Sequence, residues 1–127
     1  MLLLDTCTFV WLTAEPDRLS PSARTLLDDA SESLVLSDVS VWELGLKWQV
    51  GKIQLPEPPR RWVETQAEVW HLERQPVERS HIYRTTELAP IHRDPFDRLL
   101  VAQAIEHDYT LVTPDREIAK YPVVVRW

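Results

Sequence analysis

Short runs of consecutive apolar residues alternate along the chain with longer segments of helical periodicity. The apolar runs predict strands at 2–4, 34–36, 110–113 and 123–125, with a weaker strand around Val77. The helical periodicity predicts helices at 6–12, 20–30, 38–50, 60–71, 80–88 and 95–108, and a short helical turn at 114–119. Short buried strands alternating with helices are typical of a parallel sheet covered on both sides. The pattern therefore predicts an α/β protein of three layers, α/β/α, around a mainly parallel sheet of about five short strands.

The helix at 95–108 has the clearest start signal and carries an acid on its apolar face. Asp94 can cap the free amides of the first turn, and the proline after it suits the first helical position. Three residues further on, Asp97 shares a face with Val101 and Ala104, so its carboxylate points along the stripe that should be buried. A buried carboxylate needs a cation, a metal ion or several hydrogen-bond donors. Asp97 is therefore a candidate for chemistry.

Three more acids are placed in a comparable way. Asp5 lies at the carboxyl end of the first predicted strand, and Asp115 lies just past the strand at 110–113. In open parallel sheets, ligands bind beyond those strand ends, where the winding direction switches. Glu43 lies at the edge of an apolar stripe that we expect to be buried, formed by Val39, Trp42, Leu46 and Val50.

Separate elements thus deliver the carboxylates of Asp5, Glu43, Asp97 and Asp115. Clustered without cations they would repel one another, and a hard divalent ion removes that repulsion. Oxygen ligands without a matching histidine or cysteine set favour Mg²⁺ or Mn²⁺ over zinc.

Structural interpretations of the same acids stay open. Asp5 and Asp115 are also natural helix caps, and Glu43 and Asp97 could form salt bridges with Arg or Lys. Asp94 is first of all a cap, with a supporting or occasional ligand role as the second interpretation.

Length and charge narrow the class of protein. The chain has 127 residues, which is the length of one domain, 1–127. A net charge of −6 argues against broad electrostatic binding of nucleic acid but not against an acidic site that reaches phosphates through metal ions. A single cysteine, Cys7, cannot form an internal disulfide, which fits a reducing cytoplasm. No apolar run approaches the ~20 residues of a membrane helix, so we expect no export or membrane-spanning segment.

Four parts of the chain together resemble a known family. They are MLLLDT at the start, SDVSVWELGLKWQVGKI in the middle, HRDPFDRLLVAQAI, and TLVTPD followed by VVVRW. They look like the PIN-domain ribonucleases, specifically the VapC-type toxins of bacterial toxin–antitoxin pairs, in the expected order over nearly the whole chain.

The resemblance implies a PIN-like fold and a metal-dependent RNA endonuclease. Such an enzyme hydrolyses phosphodiester bonds with water activated by Mg²⁺ or Mn²⁺, is inhibited by a cognate VapB-like antitoxin, and is commonly a homodimer. The family's acidic catalytic and metal-binding residues fall here on Asp5, Glu43, Asp97 and Asp115. Its sheet order would put the strands before Asp5 and Asp115 side by side.

Residues beside the acids have candidate roles of their own. Thr6 and Thr113 could orient the neighbouring carboxylates or bind water on the metal. We expect His92 to be a surface residue and Cys7 to be a small buried hydrophobe rather than a nucleophile. Three arginines could steer RNA phosphates or neutralise adjacent acids, namely Arg93, Arg98 and Arg116.

The helix at 38–50 is apolar on two faces. Opposite the stripe that contains Trp42, it carries Val41, Leu44 and Trp48. A helix in a small domain usually buries one face, so we expect a partner to cover this second face together with Trp62. That partner is a second copy of the chain or an amphipathic antitoxin segment. The alternative is that the helix containing Trp62 covers it within the domain.

Two rival functions deserve comparison. A Mg²⁺-dependent phosphatase or phosphotransfer protein also has a metal at strand ends, but phosphoaspartyl hydrolases typically carry two aspartates at alternate positions of the first strand. Here Asp5 is followed by Thr6 and Cys7. A catalytically silent PIN-like binding module is the non-enzymatic rival. It is disfavoured because a scaffold would gain stability by losing some of the carboxylates.

Overall fold

Five short strands form one parallel sheet in the computed structural model, which describes residues 1–127. They are β1 (Leu2–Leu4), β2 (Leu34–Ser37), β3 (Glu73–Gln75), β4 (Thr110–Val112) and β5 (Val124–Arg126). Their order is β3-β2-β1-β4-β5, and every neighbouring pair is parallel. The central strand β1 pairs with β4 on one side and β2 on the other, so the residues that follow β1 and β4 meet at one edge.

Six helices connect and cover the strands. They are α1 (Thr6–Ala14), α2 (Pro21–Asp28), α3 (Asp38–Gln49), α4 (Pro59–Val69), α5 (Arg79–Glu87) and α6 (Pro95–His107). Two short 3-10 turns, Pro16–Arg18 and Ile118–Lys120, complete the chain. None of these helices combines the length and the apolar character that crossing a bilayer requires.

The buried side chains form two clusters, one on each side of the sheet. Alternate strand residues point to opposite sides, so Leu2 and Leu4 belong to one cluster and Leu3 belongs to the other. The first cluster includes residues of α1, α2 and α4, and the second includes residues of α6. The predicted three-layer α/β/α architecture with five parallel strands is confirmed.

The helix boundaries follow the predicted capping signals. Ser37 caps α3, since its Oγ accepts the N–H of Val39 at 3.1 Å. Asp94 caps α6, since its Oδ1 accepts the N–H of Phe96 at 2.8 Å. Gly51 follows α3 with a φ of 75°, a backbone conformation that favours glycine.

Two of the predicted elements differ from the structure. The strand expected around Val77 is wrong, because β3 ends at Gln75 and Val77 is 37% exposed. Pro76 stands between them and has no N–H to continue the hydrogen-bonded ladder. The helical turn expected at 114–119 is confined to Ile118–Lys120.

The buried face of α3 is not the one expected from its apolar stripe. Val39 is buried, but Trp42, Leu46 and Val50 are 62%, 40% and 68% exposed. The face that is buried instead carries the polar side chain of Glu43. Apolar residues occur nearly all round this helix, so periodicity alone could not identify the face that packs on the sheet.

Of the residues proposed to meet a partner, some are buried in the core and others are exposed. Leu44 is 1% exposed and belongs to the core, so its assignment to a partner interface is wrong. Val41 is half-buried against the same core, and Trp48 is 38% exposed. Trp62 is half-buried and donates its indole N–H to Thr13 Oγ1 at 3.2 Å, which ties α4 to α1.

Candidate metal centre

Five carboxylates line one open cavity of about 220 Å³ beyond the carboxyl ends of β1 and β4. They belong to Asp5, Glu43, Asp94, Asp97 and Asp115. Thr6, Cys7, Lys47 and Pro114 complete the lining. The structure therefore brings together the four acids that the sequence singled out, and Asp94 joins them.

Asp5 is fixed where β1 passes into α1. Its Oδ1 accepts the N–H of Thr8 at 2.8 Å, and Thr8 Oγ1 donates to the carbonyl of Val112 at 2.9 Å. Its own backbone N–H donates to the same carbonyl at 3.3 Å. These bonds lock the end of β1 to the end of β4. The cap and the site interpretations of Asp5 are thus compatible, because one carboxylate oxygen caps α1 while the carboxylate as a whole lines the cavity.

Thr113 joins the two acids that follow neighbouring strands. Its hydroxyl donates to Asp5 Oδ2 at 2.5 Å and accepts the N–H of Asp115 at 3.1 Å. Asp115 in turn caps its own turn, since its Oδ1 accepts the N–H of Glu117 at 2.9 Å. The other oxygen of Asp115 remains directed toward the acidic cluster, where it contacts His92. Thr113 therefore contacts the carboxylate of Asp5 and fixes the backbone of Asp115.

Glu43 is buried and both of its oxygens are engaged. Oε1 accepts a hydrogen bond from the Thr6 hydroxyl, and Oε2 pairs with Lys47 Nζ at 2.8 Å. Burial lowers the pKa of the Lys47 ammonium, but the bond to Glu43 outweighs it and raises the pKa overall. The salt-bridge alternative for Glu43 is thus realised in this structure, with a Lys47 side chain that is 43% exposed.

His92 lies inside the acidic cluster, which the sequence did not indicate. Its Nε2 is 2.9 Å from Asp115 Oδ2 and 3.2 Å from Asp97 Oδ2, and its side chain is only 17% exposed. The expectation of a surface residue is wrong. His92 comes from the loop before α6, where no periodicity predicts direction, and the one available signal was its closeness in sequence to the cap Asp94.

The carboxylates fit a hard divalent ion. Ligand oxygens of Asp97 and Asp115 lie within 4.8 Å of one another, and the Asp5 carboxylate lines the same cavity. Carboxylate oxygens dominate the cluster, as Mg²⁺ and Mn²⁺ sites require.

Without a bound ion, the negative charges of the carboxylates are only partly balanced, because the groups are buried and close together. Burial raises the pKa of Asp5 despite the donors around it. Burial, followed by repulsion from Asp94 and Glu43, raises the pKa of Asp97 to about 7. Burial lowers the pKa of His92, but the bond to Asp115 and the nearby carboxylates outweigh it, so the pKa is raised. A dication would relieve the strain on the carboxylates.

Cys7 has no features of a nucleophile. Burial and the charge of Asp5 raise the pKa of its thiol, whose sulfur lies 3.3 Å from Asp5 Oδ1. A thiol rather than a thiolate therefore occupies this wall of the cavity, as expected.

The three arginines have different positions. Arg98 donates to the carbonyls of Thr85 and Ala89 at 2.7 and 3.0 Å and to the Tyr121 hydroxyl at 3.1 Å. Its guanidinium is occupied by these hydrogen bonds at the end of α5 and the loop after it, so the assignment of Arg98 to RNA phosphates is wrong. Arg93 and Arg116, by contrast, are exposed, and each is adjacent in sequence to an acid that lines the cavity.

Comparisons with known proteins identify the family to which the chain is similar. The profile of the family described as PIN domain matches residues 2–124. The chain is 35% identical over 121 residues to Ribonuclease VapC22 of Mycobacterium tuberculosis, covering 94% of this chain and 91% of that protein.

Two solved complexes contain a chain of similar fold. One is VapBC2 from Rickettsia felis bound to a DNA fragment from their promoter, with a TM-score of 0.73, 18% identity and coverage of 99% of this chain and 98% of that one. The other is DNA-bound VapBC from Salmonella typhimurium, with a TM-score of 0.70, 16% identity and coverage of 98% and 96%.

We expect the metal-free protein to lose stability as the pH rises from about 5 to about 8. The folded-state pKa of Asp97, about 7, lies above its usual value of 3.8, so the folded protein binds this proton more tightly than the unfolded chain. The associated stability is present below the unfolded pKa and is lost as the pH rises through the folded one. The raised pKa of His92 acts in the same direction.

Urea denaturation in chelator at both pH values measures this effect. Asp97→Asn should flatten the difference, because the amide does not ionise. Equal urea midpoints for the unsubstituted protein at the two pH values would contradict the expectation.

Proposed function

The chain belongs to the PIN-domain family, and on that premise we propose that it is a VapC-type toxin, a metal-dependent RNA endonuclease inhibited by a cognate VapB-like antitoxin. The observation that carries the proposal is the convergence of five carboxylates on one open cavity beyond the ends of β1 and β4. The 35% identity to a protein named ribonuclease supports the same class of substrate.

The carboxylates have separable duties in this proposal. Asp5, Asp97 and Asp115 would hold the ion, and Asp94 caps α6 while adding negative charge from the rim. Glu43, which pairs with Lys47 in this structure, would be a further ligand. Mg²⁺ or Mn²⁺ would supply a Lewis acid that lowers the pKa of a bound water and neutralises phosphate charge.

Cationic side chains near the acidic cavity could bind the phosphates of an RNA chain. Arg93 and Arg116 are exposed on the two segments that deliver Asp94 and Asp115, so they can contact phosphates on either side of the cleaved bond. Lys47 offers a further cation inside the cavity lining once it leaves Glu43. RNA is therefore bound by a few local cations, despite a net charge of −6.

The rival functions are less well supported. A phosphoaspartyl phosphatase needs a free nucleophilic carboxylate, whereas one oxygen of Asp5 caps α1 and the other accepts from Thr113. A silent binding module would gain nothing from carboxylates whose burial and crowding raise their pKa values.

The antitoxin is proposed to dock on the apolar surface where α3 faces α4. A groove of about 430 Å³ is lined there by Val41, Trp42, Gly45, Leu46, Trp48, Gln49 and Pro59. Exposed aromatic and aliphatic side chains along one helix suit an amphipathic segment laid into a groove. The half-buried Trp62 lies on the adjoining helix α4 and stays part of the proposed interface. A homodimer through this surface is the alternative occupant.

Replacing Asp5, Glu43, Asp97 or Asp115 with the matching amide should reduce RNA cleavage by at least about 100-fold, because each loses negative charge at the ion. Asp94→Asn should cost much less, since asparagine caps a helix nearly as well as aspartate. Cleavage of a labelled RNA with Mn²⁺ provides the measurement, and thermal melts verify folding. Equal losses for Asp94→Asn and Asp97→Asn would show that the ligand set is drawn too narrowly.

Cleavage should require Mg²⁺ or Mn²⁺ and stop in chelator. The ion binds only the folded protein, so adding it should raise the melting temperature. Ca²⁺ at the same concentration serves as a control for ionic strength. Full activity in excess chelator would rule out the metal-nuclease proposal.

Trp48→Ala combined with Leu46→Ser should weaken binding of the antitoxin encoded beside the gene and leave metal-dependent cleavage intact. Both residues are at least 38% exposed, so the fold should tolerate the changes. Leu44→Ser is the matched control from the same helix, and it should destabilise the fold by about 2–5 kcal/mol because Leu44 is core. Calorimetry measures antitoxin affinity, and sedimentation of the toxin alone detects dimerisation. Unchanged affinity for the double variant would locate the interface elsewhere.

A further inference from the structure

His92 is held at its backbone and at both ring nitrogens. Its backbone N–H donates to the Tyr121 hydroxyl at 2.8 Å. Its Nδ1 accepts the backbone N–H of Asp94 at 3.1 Å. Its Nε2 then faces Asp115 Oδ2 at 2.9 Å and Asp97 Oδ2 at 3.2 Å.

The group that holds the His92 backbone is itself fixed. Tyr121 is 4% exposed, and its hydroxyl donates to the carbonyl of Ala89 at 3.0 Å. Arg98, on α6, donates to the same hydroxyl at 3.1 Å. Hydrogen bonds from His92 and Arg98 to the Tyr121 hydroxyl thus join the loop that carries His92 to the helix that carries Asp97.

The contact at Nδ1 determines which ring nitrogen carries the proton. A backbone N–H can only donate, so Nδ1 of His92 must present its lone pair to the Asp94 amide. The neutral ring then carries its hydrogen on Nε2, which makes Nε2 the donor of its hydrogen bond to Asp115. Binding a metal through Nε2 would require the other tautomer and would break the bond to Asp94.

We infer that His92 is a positioning residue that donates from Nε2 to the carboxylate of Asp115 while the same nitrogen lies 3.2 Å from the carboxylate of Asp97, and that it is not a metal ligand. Asp97 comes from α6 and Asp115 from the segment after β4, and His92 is the side chain whose nitrogen lies within 3.2 Å of both carboxylates. The donor holds these two acids at the spacing from which both can reach one ion. This inference rests on the proposed metal site.

Removing the donor should weaken ion binding. Residues that orient metal ligands typically contribute about 10- to 100-fold in affinity or activity. His92→Phe keeps a ring but has no donor, so its affinity for Mn²⁺ should fall within that range. His92→Gln retains an N–H donor of similar reach and should recover part of the loss. His71→Asn is the control, because His71 is exposed, lies outside the cavity lining and has a positive φ that asparagine tolerates.

The decisive measurements are Mn²⁺ titrations of the full-length protein, in which electron paramagnetic resonance monitors binding. Thermal melts verify folding. The electron spin-echo modulation of bound Mn²⁺ should show no directly coordinated histidine nitrogen. Wild-type affinity in folded His92→Phe, or a directly bound nitrogen that disappears in His92→Gln, would overturn the inference.

A wild-type protein that binds no Mn²⁺ would instead contradict the proposed nuclease site. The tautomer remains testable in that case by nitrogen-15 NMR of the metal-free protein, at a pH high enough that the His92 ring is neutral. A hydrogen on Nε2 is expected, and a hydrogen on Nδ1 would overturn the positioning role by itself.

Discussion

Repulsion between carboxylates held together under partial burial is the constraint on which the rest of this site depends. Asp5 and Asp115 follow adjacent parallel strands, and Asp97 enters from the first turn of α6. The pairing of β1 with β4 leaves the first two no freedom to separate, because Thr8 and Thr113 tie the two strand ends together. Such a cluster is costly in a protein with no cation to place in it.

The chain compensates for this charge only in part. His92 contacts two of the acids, and Lys47 contacts Glu43. The pKa of Asp97 is nevertheless raised to about 7, which shows that the remaining charge is poorly solvated and poorly paired. A site that accepts this cost in the absence of an ion is suited to bind one, since the binding free energy includes relief of the repulsion.

Much of the site could be predicted because it obeys simple rules of direction. Helical period placed Asp97 on a buried face, and the rule for parallel sheets placed Asp5 and Asp115 at one edge. Asp94 was identified from capping chemistry alone. These residues stand on regular elements whose geometry is known in advance, so their directions follow from sequence spacing.

The rest could not be predicted because it depends on contacts between distant segments. The direction of His92 depends on Tyr121, and Arg98 binds the carbonyls of Thr85 at the end of α5 and of Ala89 just after it, contacts that no sequence pattern encodes. On α3, apolar residues occur on nearly every side, so tertiary packing alone decided that Leu44 is buried and Trp42 is exposed. Periodicity is informative only where one face is clearly polar.

The most direct test of the central claim is the anomalous scattering of Mn²⁺ in crystals of the protein soaked with the ion. The carboxylate cluster should show one strong anomalous peak within coordination distance of Asp5, Asp97 and Asp115, at about 2.0–2.3 Å from their oxygens. A cavity without a peak at saturating Mn²⁺, or a peak bound only elsewhere on the molecule, would contradict the assignment of this acidic cluster as a metal centre.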